Sequence, residues 1–161
     1  MPLHNIRWRT VTSGVDEELV FANALEWLCG TGEFVEIEHT KSYHGSDLHI
    51  VSANLEKRGM ARTAVARLGA ETLQDIIDGI GRHIDEETKT IHIRLRLGDL
   101  LSGKVVLGEP GEHRCLKGQI KLQVYPGDDI YSVAEKLLTT AKARAERQGW
   151  PEPPVSGAEE E

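Results

Sequence analysis

The sequence is poor in cysteine, in aromatic residues and in long apolar runs. Of its 161 residues only two are cysteine, and only 5% are aromatic. Cys29 and Cys115 lie far apart, which excludes the dense cysteine framework of a small disulfide-stabilised secreted protein. No window approaches the roughly 20 consecutive apolar residues of a membrane-spanning helix, and residues 1–7 lack the apolar core of a signal peptide. We therefore expect a soluble, cytoplasmic protein with no membrane partner, whose two thiols are buried or unused.

The motifs of several common enzyme classes are also missing. Neither common type of glycine-rich nucleotide-binding loop occurs, and no Gly-x-Ser-x-Gly sequence marks a nucleophilic serine. His39, His44 and His49 recur every five residues. Two of them fall in separate predicted strands, and no Cys or carboxylate joins them at a familiar ligand spacing. We therefore predict no metal site, no cofactor and no catalytic residue, and we expect the chain to act by binding.

The charge balance is acidic overall but nearly even within the predicted domain. The chain has 19 Lys and Arg against 26 Asp and Glu, a net charge of −7. Four of the acids lie in residues 150–161, a segment without any base, so the remainder carries a charge of only −3. Because local clustering sets the electric field that a ligand meets, such a chain can still present a basic surface.

Hydrophobic periodicity predicts the secondary structure. Alternation of apolar and polar residues predicts strands over residues 6–11, 34–41, 48–57, 90–97, 104–107 and 114–125. Apolar residues at helical spacing predict three helical regions. They run from a capping-box start at Ser13–Asp16 to Leu28, from Met60 to Ile84 with a break at Gly69, and from a cap at Asp128 or Asp129 to Gly149.

The order of these elements predicts the fold class. Several strands follow one another without an intervening helix, which favours a mainly antiparallel sheet. Strands with one apolar side need helices on only one face. We therefore expect a single α+β domain over residues 1–149, a two-layer sandwich with helices on one face of the sheet. Residues 150–161 are expected to form a disordered acidic tail.

The solvent face of the predicted sheet is rich in bases. By alternation it carries Arg7, Arg9, His92, Arg94, Arg96, Lys117 and Lys121, together with Gln119 and Gln123. Bases on one face can neutralise phosphates and release counterions, which gives salt-sensitive binding by shape or backbone readout. Glu36 and Glu38 are expected on the same face and would dilute its field. The alternative is an ordinary solvated strand face.

The loop between the second and third predicted strands is the most distinctive local sequence. It places Lys41, Tyr43 and His44 beside Gly45. An unstacked base could pack on either ring while Lys41 contacts a phosphate. The alternative is a plain hairpin turn in which Gly45 has a positive φ and Tyr43 packs locally.

Three segments resemble an archaeal family for which RNA binding and association with the exosome are predicted. They are the opening Ile6–Leu28, the run Glu38–Gly45 with its Thr-Lys-x-Tyr-His-Gly string, and the run from Arg82 into Ile91–Arg94. The similarity covers residues 5–148. It implies an archaeal source, a fold similar to ribosomal protein L5, and RNA contacts at the matched positions Lys41, Tyr43, His44 and Arg94.

Two hypotheses for function follow from these features. The first is an RNA-binding protein of RNA processing or ribosome-related work that recognises structured RNA. In it, Arg7, Arg9, Arg96, Lys117 and Lys121 are site residues on the argument from the sheet face alone. The second is a non-catalytic subunit or homodimer that touches no RNA itself and joins a larger complex through a sheet edge or the open face. Protein subunits of an RNA-processing complex are the partners expected in either case.

Overall fold

The computed structural model describes residues 3–14, 18–109 and 114–150. Its strands are β1 (Leu3–Ser13), β2 (Val35–Lys41), β3 (Asp47–Leu55), β4 (Ile84–Asp85), β5 (Thr90–Arg96) and β6 (Cys115–Leu122). Its helices are α1 (Glu18–Cys29), α2 (Arg58–Ala66), α3 (Ala70–Asp78), α4 (Ile80–His83), α5 (Leu97–Leu101) and α6 (Ile130–Gln148). Asp16 of the predicted helix start and all but the first residue of the predicted tail lie outside the described residues.

The six strands form one sheet in the order β2-β3-β1-β6-β5-β4. Every neighbouring pair is antiparallel. Helices α1 and α2 pack on β1, β2 and β3, and α6 packs on α2 and α3. The exposed side chains of β1, β5 and β6 alternate with buried ones, so the other sheet face is open to solvent. The predicted two-layer α+β arrangement is confirmed.

The inward residues of the central strands form the floor of the core. Trp8 of β1 and Leu95 of β5 are almost completely buried, as are Leu55 and Ile120 on the strands beside β1. The helices cover this layer with short and branched apolar side chains. Since deletion of a buried side chain of this size costs about 2–5 kcal/mol, these positions determine which sheet face is inward.

Two details of the predicted secondary structure were wrong. Residues 104–107 were expected to form an edge strand, but only Leu107 makes a bridge, to Leu95. The predicted strand end at Leu97 is the start of the short helix α5. Ser13 is the last residue of β1 and the described part of α1 begins at Glu18, so the predicted capping box lies partly outside the described residues. In residues 104–107 and at Leu97, the apolar side chains that suggested a strand pack against the core instead of extending the sheet.

The predicted helix boundaries at glycine were mostly confirmed. Gly69 separates α2 from α3, and it has a positive φ of 90°. Gly79 adds a second break, before α4, that the periodicity did not predict. Asp129 caps α6 by accepting a hydrogen bond from the Tyr131 backbone N–H. Within residues 3–14, 18–109 and 114–150, no helix combines the length and apolar character needed to cross a bilayer.

Candidate nucleic-acid interface

The open face of the sheet carries a row of three bases on three adjacent strands. Arg9 of β1 lies directly opposite Lys117 of β6, and Lys117 lies directly opposite Arg94 of β5. All three side chains are exposed. Since adjacent strands are about 4.8 Å apart, the Cα atoms of Arg9 and Arg94 lie roughly 10 Å apart. The register therefore holds three positive charges in one line across the sheet.

A second row runs beside the first. Arg7 lies opposite Gln119, and Gln119 lies opposite His92. One step further along β6, the exposed Lys121 continues the same alternation. We call Arg7, Arg9, Arg94, Lys117 and Lys121 the basic strip. The sheet thus brings together five of the predicted site residues.

Within the part of the chain that the structure describes, no carboxylate forms an ion pair with the basic strip. Among the residues that the structure describes, none of Arg9, Lys117 and Arg94 forms an ion pair. Glu36 and Glu38 do lie on the open face, as expected, but on the edge strand β2. Strand β3 separates them from the strip with the neutral Ser52 and Ile50 at the intervening positions.

Two shallow grooves adjoin the basic strip and share Lys117 and Gln119. The first runs toward β2 and includes Arg7, Arg9, Lys57, Glu33, Glu36 and Glu56 among its lining residues. The second runs toward β4 and includes Arg82, His83, His92, Arg94 and Glu109. The second groove therefore has the greater excess of bases.

Arg82 is a base of the second groove that the sequence analysis did not identify. It lies in α4, which follows the unpredicted break at Gly79. A Cβ atom at Gly79 would lie 2.6 Å from an Nη atom of Arg82, so glycine leaves room for this side chain. The signal available in the sequence was weak, because Arg82 falls within the helical periodicity that runs to Ile84.

Asp85 is an acid close to His92, one of the lining residues of the second groove. Its carboxylate accepts hydrogen bonds from the backbone N–H groups of Thr88 and Glu87. The hydrogen bond from Thr88 is the main cause that lowers the pKa of Asp85, with smaller contributions from Glu87 and from His92, whose Nε2 lies 4.0 Å from Asp85 Oδ2. Asp85 is thus charged at neutral pH, and from the end of β4 its carboxylate holds the backbone of the β4–β5 turn.

Arg96 differs from the other predicted bases of the open face. It is the last residue of β5 and lies opposite Cys115. Its backbone N–H donates to the Val106 carbonyl, and the side chain is exposed. Because Arg96 has a further interaction partner in the structure, we leave it out of the basic strip.

The loop between β2 and β3 lies away from the basic strip. Tyr43 is 99% exposed, and its ring meets that of His44 edge-on at 5.3 Å between centroids. Gly45 has the expected positive φ, 86°. Asp47 is the first residue of β3, and Ser52, the β3 partner of Arg9, comes five residues later. The loop is therefore roughly 16 Å from the row along the strand. Lys41, Tyr43 and His44 are therefore a separate exposed group.

The structure also brings together residues that the sequence analysis treated as unrelated. His39 and His49 are direct cross-strand partners in the β2–β3 hairpin. Both side chains contact the Glu18 carboxylate at the start of α1. The argument that separate strands keep these histidines apart was wrong, because the two strands are neighbours in register.

Comparisons with known proteins identify the fold. No protein-family model matches the sequence, and no curated protein matches it. A DUF54 protein from Methanothermobacter thermautotrophicus is 21% identical over 88% of this chain and 98% of that one, with a TM-score of 0.70. A DUF54 protein from Archaeoglobus fulgidus is 19% identical over 86% and 99%, with a TM-score of 0.66.

A UPF0201 protein from Methanococcus jannaschii is a more distant match. It is 7% identical over 83% of this chain and 98% of that chain, with a TM-score of 0.53. At such identities the comparisons establish a shared α+β fold. The chain thus has the fold of archaeal DUF54 proteins along almost their whole length.

Proposed function

We propose that this chain is a cytoplasmic, non-catalytic RNA-binding protein that holds the phosphate backbone against its basic strip. The observation that carries the proposal is the row of Arg9, Lys117 and Arg94 across three adjacent strands. A role in RNA processing or ribosome-related work, in association with the exosome, rests on the resemblance of three sequence segments to the archaeal family described above.

The energetics of the row support a binding role. Like charges directly opposite each other on adjacent strands destabilise a sheet, whereas opposite charges stabilise it. Lys117 has a base on each side and, among the described residues, no carboxylate partner. A polyanion bound across the row would offset the repulsion of Lys117 from Arg9 and from Arg94, because it attracts all three bases. This is the pattern expected where binding, rather than stability, determines the side chains.

The chemistry of the strip favours backbone readout over base readout. Arginine and lysine side chains contact phosphate oxygens and position a nucleic acid without reading its sequence. Gln119 supplies an amide between Arg7 and His92, which can bond to a sugar hydroxyl. We therefore expect binding to structured RNA that depends strongly on salt and weakly on sequence.

A salt titration with matched variants tests this proposal. We expect the double variant Arg94→Gln, Lys117→Gln to bind a labelled RNA hairpin more weakly by on the order of tenfold or more. The plot of log affinity against log salt should become less steep, with the magnitude of its slope lower by about 2, since each phosphate contact contributes about 1. Removal of like charges should leave the free energy of unfolding unchanged or slightly higher. Fluorescence anisotropy and urea unfolding measure these quantities.

The control removes the same net charge from the helical layer. Lys136 and Arg147 are exposed on α6, so the double variant Lys136→Gln, Arg147→Gln should bind like the wild type. Equal losses of RNA affinity in both double variants would indicate a non-specific effect of net charge. No binding by the wild type at low salt would contradict RNA binding by this chain.

The exposed Tyr43 loop is a second contact within the same proposal. Its distance from the strip suits a bent or bulged RNA in which one base leaves the stack and packs on the tyrosine ring. Tyr43→Ala in the same titration should lower affinity without a change in the salt slope, because stacking releases few counterions.

A protein-interaction subunit is a second candidate function, and one observation favours it. Strand β2 has β3 on one side and no strand on the other among the described residues. Such an edge can pair with a strand of another chain, including a second copy. A homodimer in analytical ultracentrifugation that dissociates when Ile37 is replaced by Pro would support this candidate.

A further inference from the structure

Glu18, His39 and His49 form a compact cluster on the helical side of the sheet. Each residue offers one ligand atom, and the three atoms lie within 4.8 Å of one another. His39 Nε2 is 2.6 Å from Glu18 Oε2, and His49 Nδ1 is 3.2 Å from the same oxygen. The cluster lies on the opposite side of the sheet from the basic strip, so it is independent of that strip.

Three elements converge to build this cluster. Glu18 is the first residue of α1. His39 and His49 are opposite each other in the β2–β3 ladder, and their ring centroids are 4.7 Å apart. The hairpin therefore presents two imidazoles side by side, and the helix start brings a carboxylate to them.

One nitrogen of the cluster lacks a conventional partner. His49 Nδ1 is buried and makes no hydrogen bond among the described residues, although Glu18 Oε2 is only 3.2 Å away. The contact is close, but it lacks the direction of a hydrogen bond. An unpaired buried nitrogen is costly, and a metal ion bound to it would remove that cost.

The donor set and its dimensions fit a transition-metal ion. Zinc binds imidazole nitrogen and carboxylate oxygen at about 2.0–2.2 Å, so neighbouring ligand atoms around a tetrahedral ion are about 3.4 Å apart. The two contacts to Glu18 fall within 1 Å of that separation. The His39 side chain is 65% exposed, so it can adjust and water can reach a fourth position.

We propose that Glu18, His39 and His49 bind one Zn²⁺ ion, with water as the remaining ligand. Two imidazoles and one carboxylate select zinc and related late first-row ions over Mg²⁺ and Ca²⁺, which prefer oxygen ligands. The ion joins the start of α1 to the β2–β3 hairpin, next to the exposed Tyr43 loop. Metal binding in this way stabilises the folded state.

Calorimetric titration of the full chain with ZnCl₂ tests the site. The protein is prepared without a polyhistidine tag and is freed of metal with a chelator. We expect one Zn²⁺ per chain and a rise in Tm that saturates at the same stoichiometry. With Co²⁺ in place of Zn²⁺, the visible absorption bands of a nitrogen and oxygen site should appear.

The variants are designed to keep the contacts to Glu18 while weakening metal binding. His39→Gln places an amide nitrogen near the position of Nε2, and His49→Asn places one near the position of Nδ1. Loss of a supporting residue alone changes metal affinity by about 10- to 100-fold, so each variant should bind at least about tenfold more weakly. His44→Gln, an exposed histidine of the same hairpin, should bind like the wild type.

Two results would overturn the proposal. One is a wild type that takes up no Zn²⁺ at micromolar concentrations, in which case the cluster consists only of close polar contacts. The other is undiminished binding in His39→Gln, which lies on an exposed edge strand where substitution should preserve the fold. Circular dichroism of each variant separates loss of binding from loss of folding.

Discussion

At the scale of single residues, Trp8 and Gly118 show how the centre of the sheet is built. They are cross-strand partners of β1 and β6, and the Trp8 ring lies over the glycine. A Cβ atom at position 118 would lie 2.6 Å from Trp8 Cε3. Glycine weakens a strand interior unless another group covers it, and here the indole does so.

Gly118→Ala should therefore destabilise the protein. The added methyl group forces the buried indole to move, and overpacking of this kind costs about 1–3 kcal/mol. Urea unfolding followed by tryptophan fluorescence measures the change. Gly59→Ala is the matched control, because no heavy atom lies within 4 Å of the added Cβ, and its stability should be equal or slightly higher. Equal effects of the two substitutions would contradict the packing argument.

The reactivity of the Cys29 thiol is determined by its surroundings. Burial raises the pKa of its thiol to about 12, although the nearby Arg67 lowers it in part. Since the thiolate is the reactive form, Cys29 should resist thiol reagents at pH 8 in the folded protein. A Cys115→Ser variant leaves Cys29 as the sole thiol. Ellman's reagent should then react with it only after guanidinium unfolding, and rapid reaction in the native state would contradict this.

At the scale of elements, Arg67 joins the end of α1 to the helix that follows β3. It is the C-cap residue of α2, and its Nε donates to the Trp27 carbonyl at 2.9 Å and to the Leu28 carbonyl at 3.2 Å. The guanidinium also lies over the Trp27 and Trp150 rings. A cation that bonds to the last carbonyls of a helix satisfies acceptors that the helix itself leaves open.

Arg67→Met should destabilise the fold more than a surface arginine does. The substitution keeps much of the apolar stem but removes charged hydrogen bonds worth about 1–3 kcal/mol. Arg147→Met, an exposed change in the last turn of α6, should cost only a few tenths of a kcal/mol. Thermal unfolding by circular dichroism compares the two. If both variants unfold at the same temperature, Arg67 does not stabilise the α1 end.

The hairpin shows which contacts sequence reasoning can reach at this scale. Its strands, its loop and the positive φ of Gly45 followed from alternation and turn chemistry. The loop covers five residues centred on His44, so two histidines equally distant from it must be cross-strand partners. That symmetry was present in the sequence. The contribution of Glu18 was not, because a helix start can approach either end of a hairpin.

At the scale of the whole molecule, the bases of the open face are separated from its acids rather than paired with them. The chain is acidic, with a net charge of −7, yet the bases of β1, β6 and β5 form one strip on the open face. The acids Glu36 and Glu38 on β2 and Asp85 on β4 lie on strands outside the strip. The resulting field favours approach of a polyanion along the strip, and this steering weakens with salt.

The sequence by itself determined the antiparallel α+β class, most of the strands and helices, and the side of each strand that is buried. It could do so because periodicity, caps and glycine breaks act over a few neighbouring residues. Only the tertiary structure decided that Arg9, Lys117 and Arg94 share a row, and that Glu18 meets two histidines. Strand order and register depend on packing between residues far apart in the chain, and local patterns carry no information about which distant strand becomes a neighbour.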